Sequence, residues 1–341
     1  MFSKISSAFP ITKKIAVLCA FLFIAILFLE FYLRFFAPQN ISPVIAELDP
    51  ILGYKLKANV TAVHKTTEFN TIVHTNSEGY RSSEMIYEKG DKTRILFLGD
   101  SMTYGWGVNT EERFSDIVAK NLDLEMLNTG VPGYKVSNMD AYYETEGYKY
   151  HSDIVLLAYN LRTGIVNINS QEYEVNNSTL IKKTLYVSNA KNNLKNIVAE
   201  IPFYSFLSQH SQLFSFFRNI VVGLLEQQQV GETLSNCTTL QDQWYSHNKE
   251  REVLIVQDIQ NFTTQQNSSF ILVLLPLPSC NFTNLLSDFK NATNVTTVID
   301  LSSTFANNTS SYYYPIDQHW NAQGHALAAQ TIITALNLTL Q

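Results

Sequence analysis

Read for its apolar positions, the chain divides into an N-terminal apolar block and a longer patterned part. From Ile15 to Leu29 every residue is apolar, and the run continues through Glu30 and Arg34 to Phe36. A bilayer core takes about 20 helical residues, so residues 15–36 suffice for one transmembrane helix. Glu30 and Arg34 stand four apart with the acid first, so they can pair on one helix face near the end of the run.

Beyond this block, residues 37–91 are polar with scattered short apolar stretches and are expected to form an approach region. A regular rhythm then begins. Arg94–Leu98 (RILFL) is a short apolar run of the kind buried strands show, and Glu111–Leu122 has helical spacing. Leu124–Asn128 is the second strand, closed by the turn cluster Thr129–Gly133. Ser137–Tyr150 is expected to be helical with Ser137 as N-cap, and Asp153–Tyr159 (DIVLLAY) is the third strand. Strands alternating with helices imply βαβ units and a parallel sheet with helices on both faces. The rhythm breaks from Gly164 to Gln260, where apolar helical stretches at Phe203–Leu225 and Tyr245–Gln260 suggest an insertion packed on or beside the sheet. Phe270–Leu277 and Val295–Leu301 return to strand, and Asn321–Leu336 closes as a helix. The expectation is an α/β fold, a three-layer α/β/α sandwich over residues 92–341 with an insertion at about 164–260.

Composition refines the picture. The chain has 341 residues, 45% of them hydrophobic, enough to bury a large core; a net charge of −6 argues against a nucleic-acid partner. Lys4, Lys13 and Lys14 precede the apolar run, so the positive-inside rule places residues 1–14 in the cytoplasm and the large C-terminal part outside it. A cleaved signal peptide is the rival reading, but the run is long and no small-x-small cleavage site follows closely. Asn-x-Ser/Thr sequons recur from Asn40 to Asn337, with none between Asn59 and Asn176. They mark a glycoprotein if the chain is translocated where glycosylation operates, or an accident of its Asn, Ser and Thr content. Cys19 lies in the apolar run; Cys237 and Cys280 form a disulfide in an oxidising compartment or stay as two thiols.

Chemistry concentrates at two places. Ser101 follows the first strand of the rhythm in Gly99-Asp100-Ser101, at the strand end where α/β sheets bind ligands. A serine opening a helix there offers its hydroxyl as nucleophile and its backbone N–H to an oxyanion. A plain turn would use the same three residues, and the G-x-S-x-G elbow is absent. Near the C-terminus, Asp317-Gln318-His319 puts a carboxylate two residues before an imidazole, so the acid can hold one ring nitrogen while the other serves a serine. A surface Asp and a half-buried His at a helix start is the structural alternative. Trp106 lines a pocket or packs in the core, the run Tyr312–Tyr314 forms a substrate wall or a packed loop, and His325 is structural. No histidine shows metal-ligand spacing, and no phosphate loop or cofactor signature is present, so no cofactor or metal is expected.

These residues resemble the SGNH, or GDSL-type, hydrolase superfamily. The first block is matched by Ile95-Leu-Phe-Leu-Gly99-Asp100-Ser101-Met-Thr-Tyr-Gly105-Trp-Gly107, the second by Asn128-Thr-Gly130-Val-Pro-Gly133, and the last by Asp317-Gln-His319-Trp-Asn-Ala-Gln-Gly324-His. Asn76-Ser-Glu-Gly-Tyr-Arg81 resembles the lead-in of membrane-linked members. The resemblance spans roughly Leu52 to the C-terminus and leaves the insertion unmatched. It implies an SGNH, flavodoxin-like sandwich with Ser101 as nucleophile and first oxyanion donor, Gly133 as second donor through its N–H, Asn160 as third through its side chain, His319 as base and Asp317 as its partner. The family's third block reads Gly-x-Asn-Asp, whereas Ala158-Tyr159-Asn160-Leu161 keeps only the Asn. Many members place Asp three before His; the spacing of two resembles the branch with polysaccharide O-acetyltransferases.

Three functions follow as expectations. The first is an exported, single-pass, membrane-anchored serine ester hydrolase acting through an acyl-enzyme on an ester-bearing substrate, a surface glycan or a lipid. The second is an O-acyltransferase moving acetyl groups to or from surface glycans. The third is a non-catalytic scaffold that kept the fold.

Overall fold

The computed structural model describes residues 11–161, 173–182, 203–230, 237, 241–242, 244–277, 282–306 and 311–339. The apolar N-terminal block is one helix, α1 (Ile11–Phe36), long and apolar enough to cross a membrane. Its Glu30 and Arg34 pair at 2.7 Å, as the four-residue spacing predicts.

Residues 37–91 hold more structure than an approach region. Two antiparallel hairpins form there, β1 (Ala46–Asp49) with β2 (Gly53–Leu56), and β3 (Thr61–Lys65) with β4 (Asn70–His74). Their inward residues Leu56, Ala62 and Val73 join the core on one face of the main sheet.

That sheet is built from β5 (Arg94–Leu98), β6 (Glu125–Asn128), β7 (Ile154–Asn160), β10 (Ser269–Leu275) and β11 (Val298–Asp300), every neighbouring pair parallel, in the order β11-β10-β7-β5-β6. Taken in chain order the five strands run 2-1-3-4-5, the flavodoxin-like arrangement. The uninterrupted apolar character of β5, β7 and β10 has a direct cause: both faces are covered. Side chains alternate across each strand. Leu96, Leu98, Val155, Leu157, Leu272 and Leu274 face one core, while Ile95, Phe97, Ile154, Leu156, Ile271 and Val273 face the other.

The second core is closed by α3 (Phe114–Asn121) and α10 (Ala322–Thr339), through Phe114 and Val118 against Ala328, Ala329 and Ile332. The first is closed by α4 (Val136–Thr145), α7 (Lys249–Gln265) and α8 (Thr283–Thr293). Helix α4 starts one residue before the expected N-cap. Ser137 lies inside its first turn and is buried; the cap is Lys135, whose N–H donates to the Asn138 side chain at 3.0 Å. The expected helix to Tyr150 ends at Thr145 and resumes as a 3-10 turn at Gly147–Tyr150.

Stretches of the expected insertion lie outside the described residues. Among the rest, β8 (Tyr173–Asn176) and β9 (Thr179–Lys182) form a hairpin. Lys182 fastens it to α4 and α7 by ion pairs to Asp140 at 2.9 Å, Glu144 at 2.7 Å and Asp258. The long apolar stretch expected at Phe203–Leu225 is two helices, α5 (Tyr204–His210) and α6 (Gln212–Val230), broken at Ser211. Cys237 is disulfide-bonded, Cys19 is a free thiol, and Cys280 lies outside the described residues.

Candidate active site

β5 and β7 are neighbours from which the chain departs toward opposite edges of the sheet, the switch point where open α/β sheets form a crevice. Ser101 follows β5 there, and Asn160 ends β7 beside it. The two strand ends are tied together: Asn160 Nδ2 donates to Asp100 Oδ2 at 2.8 Å. The other oxygen of Asp100 accepts from Met102 N at 2.9 Å, capping the short helix α2 (Ser101–Tyr104). Asp100 is buried, and that burial pushes its carboxyl up from the ordinary range. It organises the turn rather than facing the crevice. As the first residue of α2, Ser101 has no intrahelical partner for its N–H.

The far end of α2 is held by Arg81. This buried guanidinium donates to the carbonyls of Gly105 at 2.6 Å, Val108 at 2.8 Å and Tyr104 at 3.3 Å. Helix termini leave carbonyls without partners, and Arg81 collects those of the α2 turn. The loop carrying Ser101 and Trp106 is therefore clamped at both ends.

His319 reaches this loop from the segment before α10. Its Nε2 lies 2.7 Å from Ser101 Oγ, and its Nδ1 lies 2.5 Å from Asp317 Oδ1. Gln318 between them has φ +65°, a left-handed conformation, and the two side chains meet across it on one face of the loop. The loop is pinned by Gln318 N to Tyr314 O at 2.9 Å and Tyr314 N to His319 O at 2.8 Å. Burial pushes the Asp317 carboxyl up, but the hydrogen bond and charge of His319 outweigh it, helped by Trp106, and hold the group below its usual value. Both side chains keep about a fifth of their surface exposed, 21% for His319 and 20% for Asp317, so solvent reaches them.

The N-terminal hairpin and the Trp106 loop complete the setting. Glu68, in the β3–β4 turn, accepts from Ile316 N at 2.9 Å and Asp317 N at 2.8 Å, anchoring the His319 loop to residues first taken for an approach region. Trp106 Nε1 donates to Asp317 Oδ2 at 3.1 Å, and its ring stacks on His319 with centroids 5.5 Å apart. His64 of β3 packs edge-on against Trp106 at 4.2 Å. Its burial lowers its pKa to about 4, so it is neutral here. Of the tyrosine run, Tyr314 packs on Phe69 and donates to Gly107 O at 2.8 Å, while Tyr313 is buried and donates to Pro276 O at 3.1 Å. The run is loop packing. His325 is fully buried, accepts from Phe114 N at 3.3 Å and is structural, as expected.

Gly133 sits exposed in the turn after β6 with φ +82°, and a Cβ there would come within 2.8 Å of the Tyr54 hydroxyl. Glycine is required at this position on both counts. Tyr54 in turn donates to Pro132 O at 2.7 Å and shapes the turn that presents the Gly133 N–H.

Ser101, Asp317 and His319, read from the sequence as a set, are thus brought into one hydrogen-bonded relay, and Asn160 is joined to it through Asp100. Sequence reasoning missed His64, Glu68 and the clamp made by Arg81. The last had a signal in the lead-in Asn76–Arg81; the other two lie in short strands and turns that carry no motif.

No protein-family model matches the chain, and no curated protein does. Solved structures do resemble it. A protein assigned to the lipolytic G-D-S-L family from Desulfitobacterium hafniense DCB-2 aligns at 12% identity and a TM-score of 0.39, over 71% of this chain and 99% of that one. The acetyl xylan esterase AlAXEase aligns at 13% identity and a TM-score of 0.42, over 71% and 98%. An acetylxylan esterase from Geobacillus stearothermophilus aligns at 12% identity and a TM-score of 0.40, over 73% and 96%. The chain is similar to these proteins in outline only, and its chemistry rests on its own residues.

Proposed function

We propose that this chain is a membrane-anchored serine ester hydrolase. The observation that carries the reading is the relay from Asp317 through His319 to Ser101, with both links at hydrogen-bond distance. In this reaction Ser101 Oγ attacks the ester carbonyl carbon as its proton passes to His319 Nε2. Asp317 holds the other ring nitrogen and stabilises the imidazolium. The oxyanion is received by the N–H groups of Ser101 and Gly133 and by Asn160, whose carboxamide is oriented by Asp100. His319 then returns the proton to the leaving alkoxide, giving an alcohol and an acyl-Ser101. A water molecule, deprotonated by His319, attacks that acyl group; the acid leaves and Ser101 regains its proton.

Location is part of the proposal. α1 anchors the chain, with residues 1–14 cytoplasmic and the catalytic part outside. The disulfide at Cys237 and the recurrent sequons fit an oxidising, exported setting. Substrates reachable there are esters of surface glycans or lipids.

The test is hydrolysis of a short acyl ester by the full chain in detergent. Ser101→Ala is expected to lower the rate by about a thousandfold or more. Equal rates in the two proteins, with no fluorophosphonate labelling of Ser101, would overturn the reading and favour a scaffold. The Asp317-Gln318-His319-Trp320 spacing supports a second reading, acyl transfer to a saccharide. It predicts acyl-saccharide product when an acceptor glycan is added, and release of free acid alone counts against it.

A further inference from the structure

Helices α5 and α6 are amphipathic in the reverse of the usual sense. Their water-facing positions carry large apolar side chains: Phe206 and Leu207 on α5 are 59% and 38% exposed, with Phe203 just ahead of that helix at 76%, and Phe217, Ile220 and Val221 on α6 are 57%, 44% and 55% exposed. The α6 set has i, i+3, i+4 spacing and so forms one stripe, and Phe206 and Leu207 form a shorter one on α5. The fully buried positions are polar instead, Ser208, Gln212 and Ser215, while Leu213, Phe214 and Phe216 are half-buried between the two sides. Among the described residues outside α1, the other exposed large apolar side chains, such as Ile51, Ile72 and Ile181, are scattered. Scattered apolar residues are ordinary on a protein surface, whereas paired stripes with a polar underside mark helices whose outer solvent is not water.

The position of the pair says what that solvent is. The turn between α5 and α6 is fastened to the last two turns of α1. Glu30 accepts from Gln212 N at 3.0 Å, Leu213 N at 2.9 Å and Ser211 Oγ at 3.0 Å, which caps the N-terminus of α6 with a carboxylate. Arg34 donates to His210 O at 2.7 Å, satisfying the end of α5. Glu30 lies six residues before the end of α1, roughly 9 Å along the helix axis. The α5–α6 turn therefore sits at the level where α1 leaves a bilayer. Glu30 and Arg34, two charges in an otherwise apolar span, both have these helix ends as partners.

We propose that α5 and α6 lie in the membrane interface of the leaflet where α1 emerges, with their apolar stripes among the lipid acyl chains. This rests on the reading of α1 as a membrane span and goes beyond it: the catalytic part is seated on the bilayer rather than swinging from a single helix. The seat is also tied to the site. Gln209 of α5 accepts from Val63 N at 2.7 Å, and the next residue of that strand, His64, packs on Trp106. The Ser101 crevice is thereby held in one orientation toward the leaflet.

Fluorescence quenching by lipid nitroxides tests this. The full chain with Cys19→Ser carries one added cysteine, at Phe28, Phe206, Phe217 or Lys120, labelled with a small fluorophore without reduction and placed in phosphatidylcholine vesicles containing an acyl-chain nitroxide lipid. Labels at Phe28, Phe206 and Phe217 are expected to lose fluorescence, and the label at Lys120, exposed on α3, to keep it. Quenching at Phe28 with none at Phe206 and Phe217 overturns the inference and leaves the anchor intact. No quenching at Phe28 overturns the anchor, and the inference with it. Labels on α5 and α6 shielded from both the nitroxide and aqueous iodide would mark contact with a second copy of the chain, which also overturns it.

Discussion

Trp106 donates its indole N–H to one oxygen of Asp317 while His319 holds the other, so a single carboxylate is oriented from two sides. The indole stacks on the imidazole it helps to place, offset and tilted by 29°. In the proposed mechanism Trp106 is therefore a positioning residue for the base. Trp106→Phe keeps a ring in the stack and removes the donor. The expected result is a fall in kcat of about tenfold with KM little changed, the scale of one hydrogen bond to a charged group. A rise in KM with unchanged kcat would instead make Trp106 a substrate contact.

Asp317 and His319 meet across the left-handed backbone of Gln318. Its left-handed φ of +65° costs a non-glycine residue about 1–2 kcal/mol. Gln318→Gly relieves that strain but loosens the unfolded chain, so activity is expected to persist with stability within about 1 kcal/mol of the parent. Gln318→Pro forces φ to the opposite sign and removes the N–H that donates to Tyr314 O. Ester hydrolysis is expected to fall by about a hundredfold or more. Steady-state kinetics with circular dichroism separates loss of the site from loss of the fold.

Acid should destabilise the protein through two buried histidines. Burial lowers His64 to about 4 and His325 to about 3, each from 6.5. As pH falls below about 6.5 the unfolded chain binds protons at both positions and the folded chain does not. Their contribution to stability is full above that pH and is lost as pH falls toward the lowered values, by about 1.4 kcal/mol per pH unit for each histidine. Denaturant titrations between pH 7.5 and 4.5 measure the slope. His325→Gln, which keeps an acceptor for Phe114 N, is expected to make it shallower; parallel profiles would refute the assignment.

Arg81 joins three carbonyls at the end of α2, reaching them from two nitrogens of one planar fork. Arg81→Lys replaces a planar fork with a single ammonium. It is expected to lower the unfolding free energy by about 3 kcal/mol, because buried carbonyls are left without donors. Urea denaturation monitored by tryptophan fluorescence reads the change directly.

Much of the frame was legible because its signals are local. β5 begins and ends where the apolar run RILFL does, and Ser101 stands where that run meets a turn. The hairpin β3–β4 was hidden for a physical reason. Its inward positions include His64 and Thr71, so polar residues occupy places where alternation needs apolar ones. Glu68 and His64 were lost with it, since Glu68 serves a loop some 250 positions away and His64 packs on Trp106 in another. Helix α4 was misplaced at its start because its capping donor is a lysine N–H and its acceptor an asparagine three residues on, a pairing that Ser137 outshines in sequence. The loop that joins Asp317 to His319 passes through a left-handed glutamine, a conformation that side-chain identity does not announce.

The hydrogen bond between Ser101 and His319 also has a dimension in time. Its partners are 218 residues apart. A ribosome adding about 5–20 residues per second makes the nucleophile roughly ten to forty seconds before the base. Under the proposed mechanism Ser101 is an ordinary alcohol throughout that interval and gains reactivity only when α10 docks on α3 and brings the His319 loop over β5. If the chain is exported as proposed, it crosses the membrane, among ester-linked lipids, chemically silent until its fold is closed.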